Sequence, residues 1–191
     1  MSVVVVSGSP RETSNAGLLA EVAVKAIGAQ GSEVKKFVIN ELAAKGCQAC
    51  YSCKGKTEFC AIKDDLTHAL SSVTNADYVI FVTPIYIGEI TAQAKIFVDR
   101  CYSLFKPDFK TNPAPGRLAP GKKFLLIFTQ GNPDATIYQK NLQSYLGYFK
   151  RLGFQLVEGV VAAGLAKESV LETRPDLVKK VEDAAKSLLQ G

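Results

Sequence analysis

The chain has 191 residues, of which 47% are hydrophobic and 21% charged, and this suits one domain with a sizeable core. Its formal net charge of +5 is modest and its lysines are scattered, so we expect no nucleic-acid partner. No apolar stretch approaches the roughly 20 residues that span a bilayer, and the opening valine run lacks the basic start of a signal peptide. We therefore expect a cytoplasmic protein that does not enter the membrane.

Apolar runs and helical periodicity alternate along the first part of the chain. Residues 2–7 are predicted as a strand buried on both faces, and residues 14–30 repeat apolar side chains at helical spacing. Residues 33–39 are predicted as a second strand, and a cysteine-rich loop covers about 46–63. Asp64 or Asp65 is expected to cap a helix that runs to about Thr74, because a short acidic side chain accepts from exposed N–H groups.

The second part of the chain repeats this alternation. The predicted strands are residues 78–83, 123–129 and 154–162, and the predicted helices are residues 91–105, 135–152 and 174–189. A proline-rich loop occupies 106–121. Five such units predict one α/β domain over residues 1–191, a doubly wound parallel sheet with helices on both faces.

Four of the five cysteines fall within fourteen residues, with the spacing C-x2-C-x2-C-x6-C. These are Cys47, Cys50, Cys53 and Cys60. Two-residue gaps turn successive thiolates toward one point, as an iron–sulfur cluster requires. Zinc also takes four thiolates, although it usually draws them from two separated C-x2-C pairs, and disulfides are not expected in the cytosol. The pattern therefore indicates a metal site and leaves iron and zinc open.

Three unusual loops follow the first, third and fourth predicted strands. With the common strand order 2-1-3-4-5 these loops meet at the carboxyl edge of the sheet, where ligands bind. The first loop offers hydroxyl, amide and guanidinium groups at a helix N-terminus, which suits a phosphate, although a polar turn with a capping serine explains it as well. The second is apolar and shaped by Pro84 and Gly88, and suits the edge of a flat heteroaromatic ring, although packing on neighbouring elements also explains it. The third places Gly131 where a backbone can approach a ligand, although an ordinary turn explains it equally well.

Three motifs carry a family resemblance. Gly8-Ser-Pro-Arg-x-x-Ser-Asn15, Thr83-Pro-Ile-Tyr-x-Gly88 and Lys95-x-Phe-Val-Asp-Arg100 resemble the NAD(P)H-dependent FMN reductase branch of the flavodoxin-like superfamily. With the cysteine motif added, the chain resembles an iron–sulfur flavoprotein of that branch. The resemblance implies a flavodoxin-like fold, FMN as cofactor, one [4Fe–4S] cluster and a homodimer or homotetramer.

The resemblance also assigns site residues. The residues implied to hold the FMN phosphate are Ser9, Arg11, Ser14 and Asn15, with Ala16 near it. Those implied to border the isoalloxazine and ribityl chain are Pro84, Ile85, Tyr86, Ile87 and Gly88, with Thr129 and Gly131 closing the other side. The four clustered cysteines match the motif that holds the iron–sulfur cluster. Cys101 lies outside the motif and is expected to be a small buried hydrophobe.

The implied activity is electron transfer between a two-electron donor, NAD(P)H or a protein, and a one-electron carrier such as a ferredoxin-like protein. No side chain is required as a general acid or base, so no catalytic residue is assigned. One alternative is an NAD(P)H-dependent FMN or quinone reductase whose cysteine loop binds zinc or nothing. Another is a non-enzymatic carrier between partner proteins. Lys54, Lys56 and Lys63 lie close to the cysteines in sequence and would moderate the charge of either metal site.

Overall fold

A twisted sheet forms the centre of the molecule in the computed structural model, which describes residues 1–28, 33–165 and 170–190. Its strands are β1 (Ser2–Ser7), β2 (Glu33–Val38), β3 (Tyr78–Tyr86), β4 (Glu89–Ile90), β5 (Lys123–Thr129) and β6 (Leu156–Ala162). The five long strands are parallel in the order β2-β1-β3-β5-β6, and the short β4 pairs antiparallel with the end of β3. The predicted flavodoxin-like order 2-1-3-4-5 is therefore confirmed for the long strands, while β4 was not predicted.

Helices cover both faces of this sheet. They are α1 (Asn15–Ala26), α2 (Leu66–Asn75), α3 (Ala92–Arg100), α4 (Gln139–Leu152), α5 (Val170–Thr173) and α6 (Pro175–Ser187). Alternate side chains of the strands point into two separate cores: one packs against α1 and α6, and the other against α2, α3 and α4. This two-sided burial explains why the strands are nearly continuous apolar runs. No helix within the described ranges is long and apolar enough to cross a membrane.

Several predicted helix boundaries differ from the structure, and α1 ends at Ala26. The helix predicted to begin at Ala135 begins at Gln139, because Asp134 Oδ1 accepts hydrogen bonds from the backbone N–H and the hydroxyl of Thr136 and closes a turn first. The helix predicted to end at Phe105 ends at Arg100 and continues as a 3₁₀ turn, Cys101–Leu104. The predicted end of the first helix, Gln30, lies outside the described residues.

Asp65 does not form the expected cap of α2. Asp65 precedes this helix but makes no side-chain capping bond. Instead the carboxylates of Asp65 and Asp64 accept hydrogen bonds from the backbone N–H groups of Ala43 and Lys45, at 2.8 and 3.0 Å. The two acidic residues therefore attach the chain that leads into the cysteine loop to the start of α2.

The proline-rich segment 106–121 folds back on its own chain. Lys106 N donates to Pro115 O at 2.8 Å, and Arg117 N donates to Leu104 O at 2.8 Å, which closes the segment against the 3₁₀ turn. Gly116 lies against the end of α4, where a Cβ atom would stand 1.8 Å from Leu152 O. The segment does not line the cleft described next.

Candidate functional site

A cleft of about 370 Å³ opens at the carboxyl ends of β1, β3 and β5, and we call it the strand-end cleft. Its lining residues are Ser9, Arg11, Ser14, Asn15, Ala16, Pro84, Ile85, Tyr86, Thr129, Gln130, Gly131 and Leu165. Ten of the twelve residues assigned to a cofactor from the sequence are in this set. The fold thus brings the three unusual loops together at the edge where open α/β sheets bind ligands.

The loop between β1 and α1 is shaped by its own polar side chains. Ser9 is buried, and its Oγ accepts a hydrogen bond from Arg11 N at 3.2 Å. Ser14 Oγ accepts from Gly17 N at 3.1 Å and caps α1, while Asn15 Oδ1 accepts from Val170 N at 2.8 Å. The cleft therefore receives the N-terminal end of a capped helix, whose dipole and N–H groups favour an anion.

The turn between β3 and β4 lies at the edge of the cleft. Ile87 and Gly88 both have positive φ, 50° and 83°, as in a two-residue hairpin turn of type I′. A β-branched residue rarely adopts this conformation, and the Ile87 side chain is fully exposed. Asn141 Nδ2 donates to Gly88 O at 3.2 Å and fixes the turn to α4. Ile87 and Gly88 are the two assigned residues that do not line the cleft.

Gln130 is a cleft residue that sequence reasoning missed. It is only 4% exposed, and its Nε2 donates to the carbonyl oxygens of Asn132 and Asp134 at 2.9 and 2.8 Å. Its Oε1 is buried and has no hydrogen-bond partner among the residues described. A buried acceptor without a donor is costly, so this atom suits an N–H or O–H group of a ligand. Gln130 lies in the sequence between Thr129 and Gly131, which were both assigned to the cofactor, and this position could have indicated it as a cleft residue.

The four clustered cysteines share a second, small cavity, which we call the cysteine cavity. Cys47, Cys50, Cys53 and Cys60 all line it, with Arg100 as a further lining residue. Cys53 is buried, Cys60 is half-buried, and Cys47 and Cys50 are exposed.

Two non-glycine residues between the cysteines have positive φ, Ala49 at 50° and Tyr51 at 56°. Such backbone conformations are uncommon for these residues and occur where the surrounding structure imposes them.

The cysteines share this cavity without forming a closed set of metal ligands among the described residues. Within residues 1–28, 33–165 and 170–190, no group of three or more His, Cys, Asp or Glu side chains is placed to hold one ion. Four thiolates around one zinc ion, each at about 2.3 Å, stand only about 3.8 Å apart. The absence of a closed ligand set applies equally to a zinc ion and to a cluster.

Three cations, one buried and two half-buried, attach the cysteine loop to the rest of the fold. Lys54 Nζ donates to the carbonyl oxygens of Tyr102 and Phe105, both at 2.7 Å, and lies 4.2 Å from the centre of the Tyr102 ring. Burial lowers the pKa of Lys54. Arg117 Nη2 donates to Cys53 O at 3.1 Å. Lys56 and Lys63, the other lysines noted from the sequence, are exposed.

Arg100 is the third of these cations. It donates to Lys45 O at 2.9 Å and to Ile62 O at 3.1 Å, one on each side of the cysteine motif, and it forms an ion pair with Asp64 at 2.8 Å. Sequence reasoning gave Arg100, although it belongs to a quoted motif, and Arg117 no role at the cysteines, because both are far from them along the chain. Cys101, by contrast, is buried as expected, and burial raises the pKa of its thiol.

The sequence is similar to that of known proteins. Residues 1–168 match the model of the NADPH-dependent FMN reductase family. An iron-sulfur flavoprotein of Methanocaldococcus jannaschii is 32% identical over 139 residues, which are 73% of this chain and 69% of that protein. An iron-sulfur flavoprotein of Archaeoglobus fulgidus is 35% identical over 107 residues, which are 56% of this chain and 54% of that protein.

A solved structure supports the fold. An NAD(P)H:quinone oxidoreductase from Methanothermobacter marburgensis superposes with a TM-score of 0.73, covering 99% of this chain and 97% of that one. Its sequence identity is 13%, so the likeness shows a shared flavodoxin-like architecture and no more.

Proposed function

The chain belongs to the NADPH-dependent FMN reductase family, and from that premise we propose that it is an FMN-containing iron–sulfur flavoprotein. In this proposal the strand-end cleft holds FMN and the cysteine cavity holds a [4Fe–4S] cluster. Together these groups exchange electrons between a two-electron donor and a one-electron carrier, a reaction that flavins and cubanes supply in combination. The single observation that carries the proposal is the presence of both sites in one fold: a phosphate-suited cleft and four cysteines on one cavity.

The residues of the strand-end cleft fit the parts of FMN. The capped N-terminus of α1, with Arg11 and Ser14, receives the phosphate, because backbone N–H groups and the helix dipole favour an anion there. Ile85 and Tyr86 supply an apolar wall for the ring system. Gln130 Oε1 is the acceptor for one N–H or hydroxyl group of the cofactor. The relatives' names as iron-sulfur flavoproteins agree with this assignment.

The cysteine cavity carries the residues that would hold an iron–sulfur cluster. The four thiolates would hold the cluster, and their compact spacing with two-residue gaps favours an iron–sulfur group over zinc, which usually draws its thiolates from two separated pairs. Lys54, Arg100 and Arg117 place three positive charges around the loop, which offsets the negative charge of four thiolates and their metal. The proposal places the protein in the cytosol, where thiols stay reduced and free to bind metal.

The partners in this proposal are NAD(P)H or an electron-donor protein on one side and a ferredoxin-like acceptor on the other. We also propose a homodimer or homotetramer, since Tyr86 and the fully exposed Ile87 present apolar surface beside the cleft.

Anaerobic purification followed by iron, acid-labile sulfide and FMN assays tests the proposal. We expect about four iron and four sulfide per chain, with FMN released on denaturation. One zinc per chain without sulfide would instead support an NAD(P)H-dependent FMN or quinone reductase with a structural metal. Protein that contains FMN but neither metal would support the same reductase with an empty loop. Fast bleaching of the flavin by NADPH alone, without a partner protein, would exclude a pure carrier.

A further inference from the structure

Arg100, at the end of α3, is a charged side chain buried in the core. It is 1% exposed, and burying a guanidinium is costly unless each of its donors is paired. Nη1 donates to Lys45 O and to Asp64 Oδ2, and Nη2 donates to Ile62 O and to Asp64 Oδ1. A guanidinium has five N–H donors, so these four bonds leave the Nε–H.

The remaining donor of Arg100 has no hydrogen-bond acceptor of good geometry among the described residues. Its Nε is buried and forms no hydrogen bond with any part of the chain that the structure describes. The side chain lines the cysteine cavity together with the four cysteines. An unpaired buried N–H donor is destabilising, so a sulfur acceptor in the cavity would stabilise this side chain.

The sulfur of Cys60 lies within electrostatic reach of this guanidinium. Burial alone would lower the pKa of Arg100, but the hydrogen bond to Asp64 and the nearby Cys60 sulfur outweigh burial and raise it. Arg100 is therefore a permanent positive charge beside the cavity. Asp64 neutralises part of that charge through the ion pair at 2.8 Å.

We propose that Arg100 Nε–H donates a hydrogen bond to a sulfur of the iron–sulfur group, either the Cys60 thiolate or a cluster sulfide, and so raises the reduction potential of the group. The inference rests on the proposed function. Reduction adds one negative charge, and a hydrogen bond from a cation stabilises the more negative state more strongly. Arg100 is thus a tuning residue, and Asp64 opposes it by reducing the net charge of the pair.

Two substitutions in the holoprotein test this assignment through the potential itself, measured by EPR-monitored redox titration. Arg100→Lys keeps the charge but removes the Nε–H, so we expect reduction to become about tenfold less favourable, a shift of about 59 mV downward for one electron. Asp64→Asn leaves the guanidinium charge without its counterion, so we expect the potential to rise. Lys25→Gln removes one exposed charge on the helix that covers the other face of the sheet, and it is expected to change neither potential.

The FMN potential, read in the same samples, is the internal reference and should stay unchanged in all variants. A purely structural role for Arg100 would not move the cluster potential in opposite directions in the two variants. Unchanged potentials in both variants, or shifts of the same sign, would overturn the assignment. If Arg100→Lys fails to retain iron, Asp64→Asn decides alone, and a potential that does not rise there overturns the assignment. Absence of iron and sulfide from the unmodified protein would overturn the proposed function, a result distinct from unchanged potentials in loaded protein.

Discussion

Ser14 Oγ accepts a hydrogen bond from the backbone N–H of Gly17 at 3.1 Å, so one side chain both caps α1 and lines the strand-end cleft. A Ser14→Ala change would therefore alter helix stability and cofactor binding together. Loss of a serine cap costs about 1 kcal/mol. An aspartate at the same position would keep the cap and place a carboxylate beside the site proposed for phosphate.

Ser14→Asp separates these two roles. We expect the apoprotein to keep its free energy of unfolding within about 0.5 kcal/mol, because Asp is as good an N-cap as Ser. FMN affinity should fall at least about tenfold through charge repulsion, while riboflavin, which lacks the phosphate, should bind as before. Urea denaturation and flavin fluorescence titration measure the two quantities. Arg11→Gln is the matched variant, since Arg11 is exposed and should affect FMN binding alone. Equal loss of FMN and riboflavin binding would place the phosphate elsewhere.

Cys50→Ser should remove the iron and leave the flavin. Cys50 lines the cysteine cavity, and replacing one of four thiolates should abolish the cluster absorbance and the EPR signal of reduced protein. FMN content should not change, because Cys50 is not among the residues of the strand-end cleft. Cys101→Ala is the control: this cysteine is buried outside the cavity and should keep full iron content. Iron retained in Cys50→Ser and lost in Cys101→Ala would contradict the ligand set.

The order of the sheet could be predicted from the sequence because local signals determine it. Apolar runs such as residues 2–7 and 123–129 mark strands buried on both faces, and their regular alternation with helices leaves few topologies. Element ends depend on single side-chain contacts. Asp134 delays the start of α4 by bonding to Thr136, a contact that periodicity does not reveal.

The residues of the strand-end cleft were predicted more fully than the side chains that hold the cysteine loop in place. Motif residues at strand ends converge because parallel strands end at one edge, and this needs no knowledge of long-range contacts. Arg100 and Arg117 reach the cysteine loop from distant positions, and only the tertiary structure brings them there. Their hydrogen bonds are a source of order that the residue pattern did not indicate.

Ile87 offers a test of the proposed oligomer. Its side chain is fully exposed at the tip of a strained turn beside the cleft, where a second copy would cover it. We expect the unmodified protein to be at least a dimer by light scattering and Ile87→Lys to shift toward monomer, since a buried ammonium at the interface is costly. Ile137→Lys changes another exposed isoleucine and should have no effect. A monomeric mass for protein loaded with FMN and iron would show that the prediction is wrong.

The ion pair between Asp64 and Arg100 should make the free energy of unfolding depend on pH in the acidic range. Burial would raise the pKa of Asp64, but hydrogen bonds from Arg100 and from Lys45 N outweigh it and hold that pKa below its usual value. In acid the unfolded state therefore binds more protons than the folded state. The contribution of Asp64 to the free energy of unfolding is complete above about pH 4 and is lost as the pH falls through the pKa of Asp64 in the folded protein.

Asp64→Asn measures this contribution. At neutral pH we expect a loss of about 3 kcal/mol in the free energy of unfolding of the apoprotein, because the change leaves a buried charge without its partner. The difference from the unmodified protein should shrink below about pH 4. Asp183→Asn breaks an exposed pair with Lys179 and should cost no more than about 0.5 kcal/mol at any pH. A difference that stays constant from pH 7 to 3 would show that the ion pair is not its source.

Two glycines on and beside α4 should respond to alanine in opposite directions. At Gly116 a Cβ atom would stand 1.8 Å from Leu152 O and 2.7 Å from Gly153 N, so the proline-rich segment or the end of α4 must move. We expect Gly116→Ala to cost at least about 3 kcal/mol, in the range of severe overpacking. Gly147 lies exposed within α4 with no atom near its Cβ position, so Gly147→Ala should stabilise by about 0.5–1 kcal/mol through helix propensity. Urea denaturation of the two apoproteins measures both effects, and a mild effect of Gly116→Ala would show that the segment does not pack against Leu152 in solution.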